Sequence, residues 1–138
     1  MGTRSLTYLY LENAEKPFTC IYRQFDGYPT GHGLEIAEFM NSKTMVNGYN
    51  DAASQINGMG CLASQLIVLL KEGKCEAGGI YIYHPDETDC WQEYEYHIWP
   101  DKVHIIGYRE APIFEGDWKQ FLEYCKNPYY PNEDEGED

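Results

Sequence analysis

The stretch EYEYHIWPDKVHIIGY, Glu93–Tyr108, decides the fold. Pro100-Asp101 is a turn-forming pair, and the residues on either side alternate in polarity. The spacing therefore predicts a hairpin of Glu93–Trp99 with Lys102–Tyr108. If residue 99 faces 102, then 98 faces 103, 96 faces 105 and 94 faces 107. One face then carries Tyr94, Tyr96, Ile98, Val103 and Ile105. The other carries Glu93, Glu95, His97, Trp99, Lys102 and His104. A slip of one residue mixes the two faces, so the pattern favours this register.

Further strands lie upstream. Gly79–His84, GIYIYH, reads as one strand, followed by a loop over Pro85–Cys90. Arg4–Glu12, RSLTYLYLE, and Phe18–Phe25, FTCIYRQF, are rich in β-branched and aromatic residues. The polar link Asn13–Pro17 makes them a second hairpin. Gly33–Asn41 reads as a short helix whose apolar stripe takes Leu34, Ala37 and either Ile36 or Met40. Asn41–Gly60 is polar, contains Gly48, Gly58 and Gly60, and reads as a loop. Cys61–Lys71, CLASQLIVLLK, is the strongest helix. Leu62, Leu66, Leu69 and Leu70 form its stripe, and Ile67 and Val68 beside it predict burial on most sides. Gly73 supplies a stop.

Downstream of the hairpin, Ile113-Phe114 reads as a short strand. Asp117 then caps a helix over Trp118–Lys126 that buries Phe121, Leu122 and Cys125. The order ββα-α-βββ-α, with hairpins and no long βαβ crossover, predicts an α+β fold. It has a mainly antiparallel sheet of about five strands, with the helices packed on one face. Residues 1–127 read as a single domain and 128–138 as a disordered acidic tail.

A chain of 138 residues is long enough for one real core. Its 13 Tyr against 5 Phe suit a half-exposed sheet face or a binding surface. The formal net charge is −13, and removing the five acids of Glu133–Asp138 still leaves −8. Such a field disfavours direct nucleic-acid binding and favours basic partners. The five cysteines, at 20, 61, 75, 90 and 125, are odd in number and form no C-x-x-C pair. Free, mostly buried thiols in a reducing compartment fit that pattern better than zinc or a disulfide framework. No apolar run reaches membrane-spanning length, and the start MGTRSLTYLY has no apolar leader core. A cytoplasmic protein without membrane contact is the expectation.

The chemistry concentrates in IYRQFDGYPTGHGLEIAEFM, Ile21–Met40. Its turn sets Arg23, Asp26, Tyr28 and His32 among Gly27, Gly31 and Gly33, glycines expected to allow backbone angles other residues avoid. The turn is readable as a tight strand-to-helix connection with Asp26 bonding its own backbone. It is equally readable as a site where helix-start amides attract an anion gripped by Arg23 or Arg4. A structural ion pair of Asp26 with an arginine is the third reading. Asn57 and the Gly58–Gly60 segment before the long helix offer a second anion nest, although the spacing is not a P-loop. His97 and His104 face each other beside Glu95, but no third ligand is fixed by spacing, so no metal is expected. Cys61 at a helix start could pair with His32, yet nothing local supports a nucleophile, and no catalytic residue or cofactor is assigned.

Met1-Gly2-Thr3-Arg4, Tyr22-Arg23 and the block Asp26-Gly27-Tyr28-Pro29-x-Gly31-x-Gly33 resemble a group of small phage- and prophage-type proteins that also occur in bacterial genomes. Similar openings occur in some eukaryotic proteins. Asn57-Gly58-x-Gly60-Cys61-Leu62-Ala63, Gly79-Ile80-Tyr81 and Ile113-Phe114-Glu115-Gly116 are similar to the phage branch. Gln24 stands where many of those proteins carry His. The resemblance implies no activity. It implies an accessory protein acting on host machinery, counter-defence included.

The leading expectation is a phage-encoded binding protein for a small anionic or nucleotide-like ligand, held by Arg4, Arg23, Asp26, Tyr28, His32 and Asn57. One alternative is an acidic, nucleic-acid-mimicking inhibitor of a basic host nuclease or DNA-binding protein. Another is a small hydrolase or nucleotide-modifying enzyme using Asp26 and His32 as acid and base.

Overall fold

The computed structural model describes residues 2–128. The predicted acidic tail lies outside the described residues, apart from Pro128. The chain runs β1 (Ser5–Leu9), β2 (Thr19–Arg23), α1 (Leu34–Asn41), β3 (Thr44–Val46), β4 (Gln55–Asn57) and α2 (Gly58–Leu70). It continues with β5 (Ile80–Tyr83), β6 (Tyr94–Ile98), β7 (Val103–Ile106), β8 (Pro112–Gly116) and α3 (Trp118–Lys126). Six strands form one sheet in the order β5-β2-β1-β6-β7-β8. The fold is α+β.

The deciding hairpin has the register its alternation requires. Ile98 pairs with Val103, His97 with His104 and Tyr96 with Ile105. Tyr96, Ile98, Val103 and Ile105 are fully buried in the core. β1 and β2 form the second hairpin, with Ser5 opposite Arg23 and Leu9 opposite Thr19. The two hairpins meet through β1 and β6, which pair in parallel. This join leaves no local signal in the sequence, because the parallel partners Ser5 and Tyr94 stand about 90 residues apart.

All three helices contribute side chains to the cluster that contains Leu9, Ile21, Tyr96 and Ile98. They cover one face of the sheet, as alternating strands with one apolar phase demand. In α2 the buried positions are Met59, Leu62, Leu66 and Leu70, a single stripe at helical spacing. Each such aliphatic side chain contributes about 1.5–3 kcal/mol of burial. Val68 is 61% exposed, so the expectation of burial on most sides is corrected. Only one side of the helix meets the sheet, and Val68 lies on the other side with the exposed Ser64. The helix also starts three residues earlier than its composition indicates, at Gly58.

α3 begins with a capping box. The Asp117 carboxylate accepts from Gln120 N–H, and Gln120 Oε1 accepts from Asp117 N–H, both at 2.8 Å. Phe121 and Cys125 are fully buried and Leu122 partly so. The stretch Asn41–Gly60 is not all loop. Its β3 and β4 form a separate two-stranded parallel sheet. Three-residue strands, TMV and QIN, are too short to show a period.

Among the described residues, no helix packs on the opposite face of the main sheet. Leu6, Tyr8, Tyr10, Cys20 and Tyr22 form a second buried cluster there, with Ala14, Tyr83, Cys90 and Trp99 packed against it.

Candidate functional site

Arg23 ends β2 on the helix side, one pleat beyond the buried Ile21. Its Nη1 donates to Glu35 Oε1 at 2.7 Å and to His32 Nδ1 at 3.3 Å. A guanidinium only donates, so His32 Nδ1 is an acceptor and the ring proton sits on Nε2. Nε2–H then donates to Thr7 Oγ1 at 2.6 Å. His32 is fully buried and its ring tilts on Tyr96 at 4.8 Å. Burial, and then the Arg23 charge, lower its pKa to about 3. Both ring nitrogens are engaged inside the protein, where neither an external ligand nor an exposed acid–base partner reaches them.

The backbone of the turn is likewise spoken for. Gly31 and Gly33 N–H donate to Tyr28 C=O, and His32 N–H donates to Asp26 C=O. The amides at this helix start therefore bond internally rather than facing an anion. Tyr28 O–H donates to the Asp26 carboxylate at 3.1 Å, so Asp26 pairs with Tyr28 rather than with an arginine. That bond raises the Tyr28 pKa. The glycine expectation needs correcting. Gly27, Gly31 and Gly33 all avoid positive φ, and the left-handed position is Asp26, at φ 62. Asp tolerates that region better than most residues. Gly27 and Gly33 serve close approach instead. A Cβ on Gly27 would sit 2.7 Å from Ser5 Cβ, and one on Gly33 would sit 2.8 Å from Cys125 Sγ.

A depression of about 360 Å³ opens beside the turn, and Arg23, Asp26 and Tyr28 line it. Glu35, Glu38 and Glu72 line it too. Four carboxylates face one guanidinium that is already paired, so this surface disfavours an anion. Asn57 lies elsewhere. Its Oδ1 accepts from Gly48 N–H at 2.7 Å and ties down the loop over the small sheet.

Arg4 lies on the other face of the sheet. Its Nε donates to Tyr22 O–H at 2.9 Å, which leaves the terminal guanidinium nitrogens clear of that bond. No ion pair of Arg4 occurs among the described residues, in contrast to Arg23. Arg4, Tyr22, Tyr83, Cys90 and Trp91 line a depression of about 530 Å³. The Tyr22 and Tyr83 rings stack at 5.1 Å with 9° between planes. Trp91 is 83% exposed and sits at φ 62, an unfavourable backbone state for a bulky residue. Burial, and then the Glu87 charge, push the Cys90 thiol up to about 11, so it is a poor nucleophile.

The aromatic run continues across this helix-free face, where Tyr8 and Tyr10 are themselves buried. His97 stacks on Tyr8 at 4.7 Å, and Tyr10 on Trp99 at 3.9 Å. His97 bonds Tyr10 O–H through Nδ1 at 2.6 Å and Glu95 Oε1 through Nε2 at 3.1 Å. The His97 bond holds the Glu95 carboxyl below its usual pKa. Among the described residues, no group of three or more His, Cys, Asp or Glu side chains is placed to hold a metal. Cys61 sits in the first turns of α2 rather than opening it, and His32 is committed to Thr7 and Arg23. All five cysteines are free, but only Cys20 and Cys125 are buried, fewer than expected.

The structure thus brings Arg23, Asp26 and Tyr28 to one depression, seats His32 beneath them, and separates Arg4 and Asn57 from them. Sequence reasoning missed Tyr22, Tyr83 and Trp91. Only Tyr83 carried a local signal, as the second tyrosine of the alternating IYIY, Ile80–Tyr83, whereas Tyr22 and Trp91 stand in no aromatic alternation. No protein-family model, curated protein or solved structure matches the chain. No helix among the described residues is long and apolar enough to cross a membrane.

Proposed function

We propose that the protein is a non-enzymatic binding protein whose Arg4 depression, on the helix-free side of the sheet, takes a small planar ligand with an anionic group, of the nucleotide class. The observation that carries this reading is the Arg4 guanidinium. It is oriented by Tyr22, has no acidic partner among the described residues, and stands beside stacked aromatic rings. A planar base stacks on aromatic faces, while arginine makes paired bonds to phosphate or carboxylate. The exposed, backbone-strained Trp91 at the rim is poised to close over such a ring. The net charge of −13 opposes long polyanions and is consistent with a small ligand. With the phage-type resemblance of the N-terminal block, the role would be to sequester a host small molecule in the host cytoplasm. Trp91 supplies the test. Titration with nucleoside 5′-monophosphates should quench the fluorescence of the native protein, and Trp91→Phe should lose most of that signal. Quenching that persists unchanged in Trp91→Phe would place the ligand elsewhere.

The same charge favours a second reading, capture of a basic host protein on the acidic surface. Salt-sensitive association with such a partner is its measurable consequence.

A further inference from the structure

We propose that the free edge of β5 is a strand-addition site for an extended, basic segment of a partner protein, with apolar and basic residues alternating. This edge adjoins the Arg4 depression through Tyr22 and Tyr83 but does not rest on the Arg4 reading.

Among the described residues, β5 is the outermost strand of the six and pairs only with β2. Gln24 N–H donates to Gly79 C=O at 2.8 Å, just beyond the Arg23–Ile80 pair. Bonding alternates along an antiparallel pair, so the groups of Gly79, Tyr81 and Tyr83 point at β2. Those of Ile80 and Ile82 point outward. No hydrogen bond from these outward groups to another part of the chain occurs among the described residues. Gly78 and Gly79, both at positive φ, bend the chain into the strand and leave its side open.

Proteins blunt such edges with proline, charge or irregular pairing. The opposite edge follows that rule. β8 begins with Pro112, carries Glu115 and has a register shift opposite Ile105/Ile106. β5 reads Ile-Tyr-Ile-Tyr and has none of these devices. Its Ile82 is 67% exposed and Tyr81 is 42% exposed. An edge left this hydrophobic is a template for another strand.

The chemistry of the occupant follows from the two faces. Ile82 faces the helix side beyond the reach of the core, so residues across from it must be apolar. Tyr81 lies on the helix-free face beside Tyr22 and Tyr83, where an arginine or lysine gains a cation–π contact. The flank after β5 carries Asp86, Glu87 and Asp89 with no lysine or arginine. The flank before it is balanced, Lys71 and Lys74 against Glu72 and Glu76. A second copy of this chain would bring −13 against −13 and repel itself.

The probe is a capped synthetic octapeptide of alternating valine and arginine, with alternating valine and glutamate as control. Binding to the full chain is read by calorimetry, and the Ile80 and Ile82 amides by hydrogen exchange. The Val/Arg peptide should bind, the Val/Glu peptide should not, and both amides should slow by about tenfold or more at saturation. Ile82→Pro removes an outward N–H that β2 does not use, so it should preserve the circular dichroism spectrum. It should weaken binding about tenfold, the worth of one or two hydrogen bonds. Ile82→Lys places a repelling charge at an exposed position and serves if the proline variant fails to fold. Binding that survives both variants, protection confined to other amides, or absence of binding would overturn the proposal. So would a dimer by sedimentation with these amides already protected, since the edge would then belong to a second copy.

Discussion

Acidification should destabilise this protein through His32, and the structure sets the size of the effect. In the unfolded chain His32 titrates near its ordinary value of 6.5, whereas in the fold its pKa lies at about 3. Between those values the unfolded state holds the extra proton. Stability is therefore full above about pH 6.5 and falls as pH drops toward 3. One proton gives a slope of at most about 1.4 kcal/mol per pH unit. The full gap corresponds to roughly 4–5 kcal/mol, a large share of the stability of an ordinary domain. The cause is geometric. A second ring proton would sit on Nδ1, pointing at the Arg23 guanidinium, with no water to screen it. Acid acts on other groups of the chain as well, so the control is His32→Gln. Its amide can donate to Thr7 and accept from Arg23 but does not ionise near neutral pH. Urea midpoints of both proteins, followed by tryptophan fluorescence from pH 7.5 to 4.5, should diverge in slope below pH 6.5. The wild type should lose roughly 2–3 kcal/mol more than the variant. Parallel curves would refute the reasoning.

Other consequences follow from close packing and burial. Gly33→Ala puts a methyl 2.8 Å from Cys125 Sγ and 3.2 Å from the Tyr96 ring. It should cost about 1–3 kcal/mol in urea unfolding, part of which Cys125→Ala should restore. Tyr96→Phe removes the 2.6 Å bond to Gly27 C=O and should lower stability by about 1–2 kcal/mol in the same assay. Thiol alkylation followed by mass spectrometry should label the exposed Cys75 first. Cys20 and Cys125, both pushed up to about 12 by burial, should react only on unfolding.

The legible parts of the fold were those with a local period or a local cap. The β6–β7 register followed from alternation because a single phase collects Tyr96, Ile98, Val103 and Ile105. α3 followed from Asp117 and the spacing of Phe121 and Cys125. The parallel β1–β6 join and the β3–β4 pair were not legible, since one is a long-range pairing and the other is three residues per strand. The grouping of Arg4 with Arg23 was not legible because it turns on parity. Arg4 and Arg23 belong to opposite faces because Ser5, not Arg4, stands across from Arg23. That register depends on the connection Tyr10–Phe18, which is too long for a fixed hairpin turn. The Arg23–Glu35 pair likewise needs the angle at which the chain leaves β2 for α1, and no spacing rule supplies it.

The most direct test of the proposed site compares Arg4→Ala with Arg23→Ala in nucleoside 5′-monophosphate binding by calorimetry. Both variants are first checked for native circular dichroism. The account expects Arg4→Ala to weaken binding about tenfold or more, the scale of a charge-assisted hydrogen bond. Arg23→Ala should leave affinity within about twofold while lowering stability, because Arg23 is committed to Glu35 and His32. Loss of binding in Arg23→Ala with Arg4→Ala unaffected would contradict it, as would no binding by the wild type.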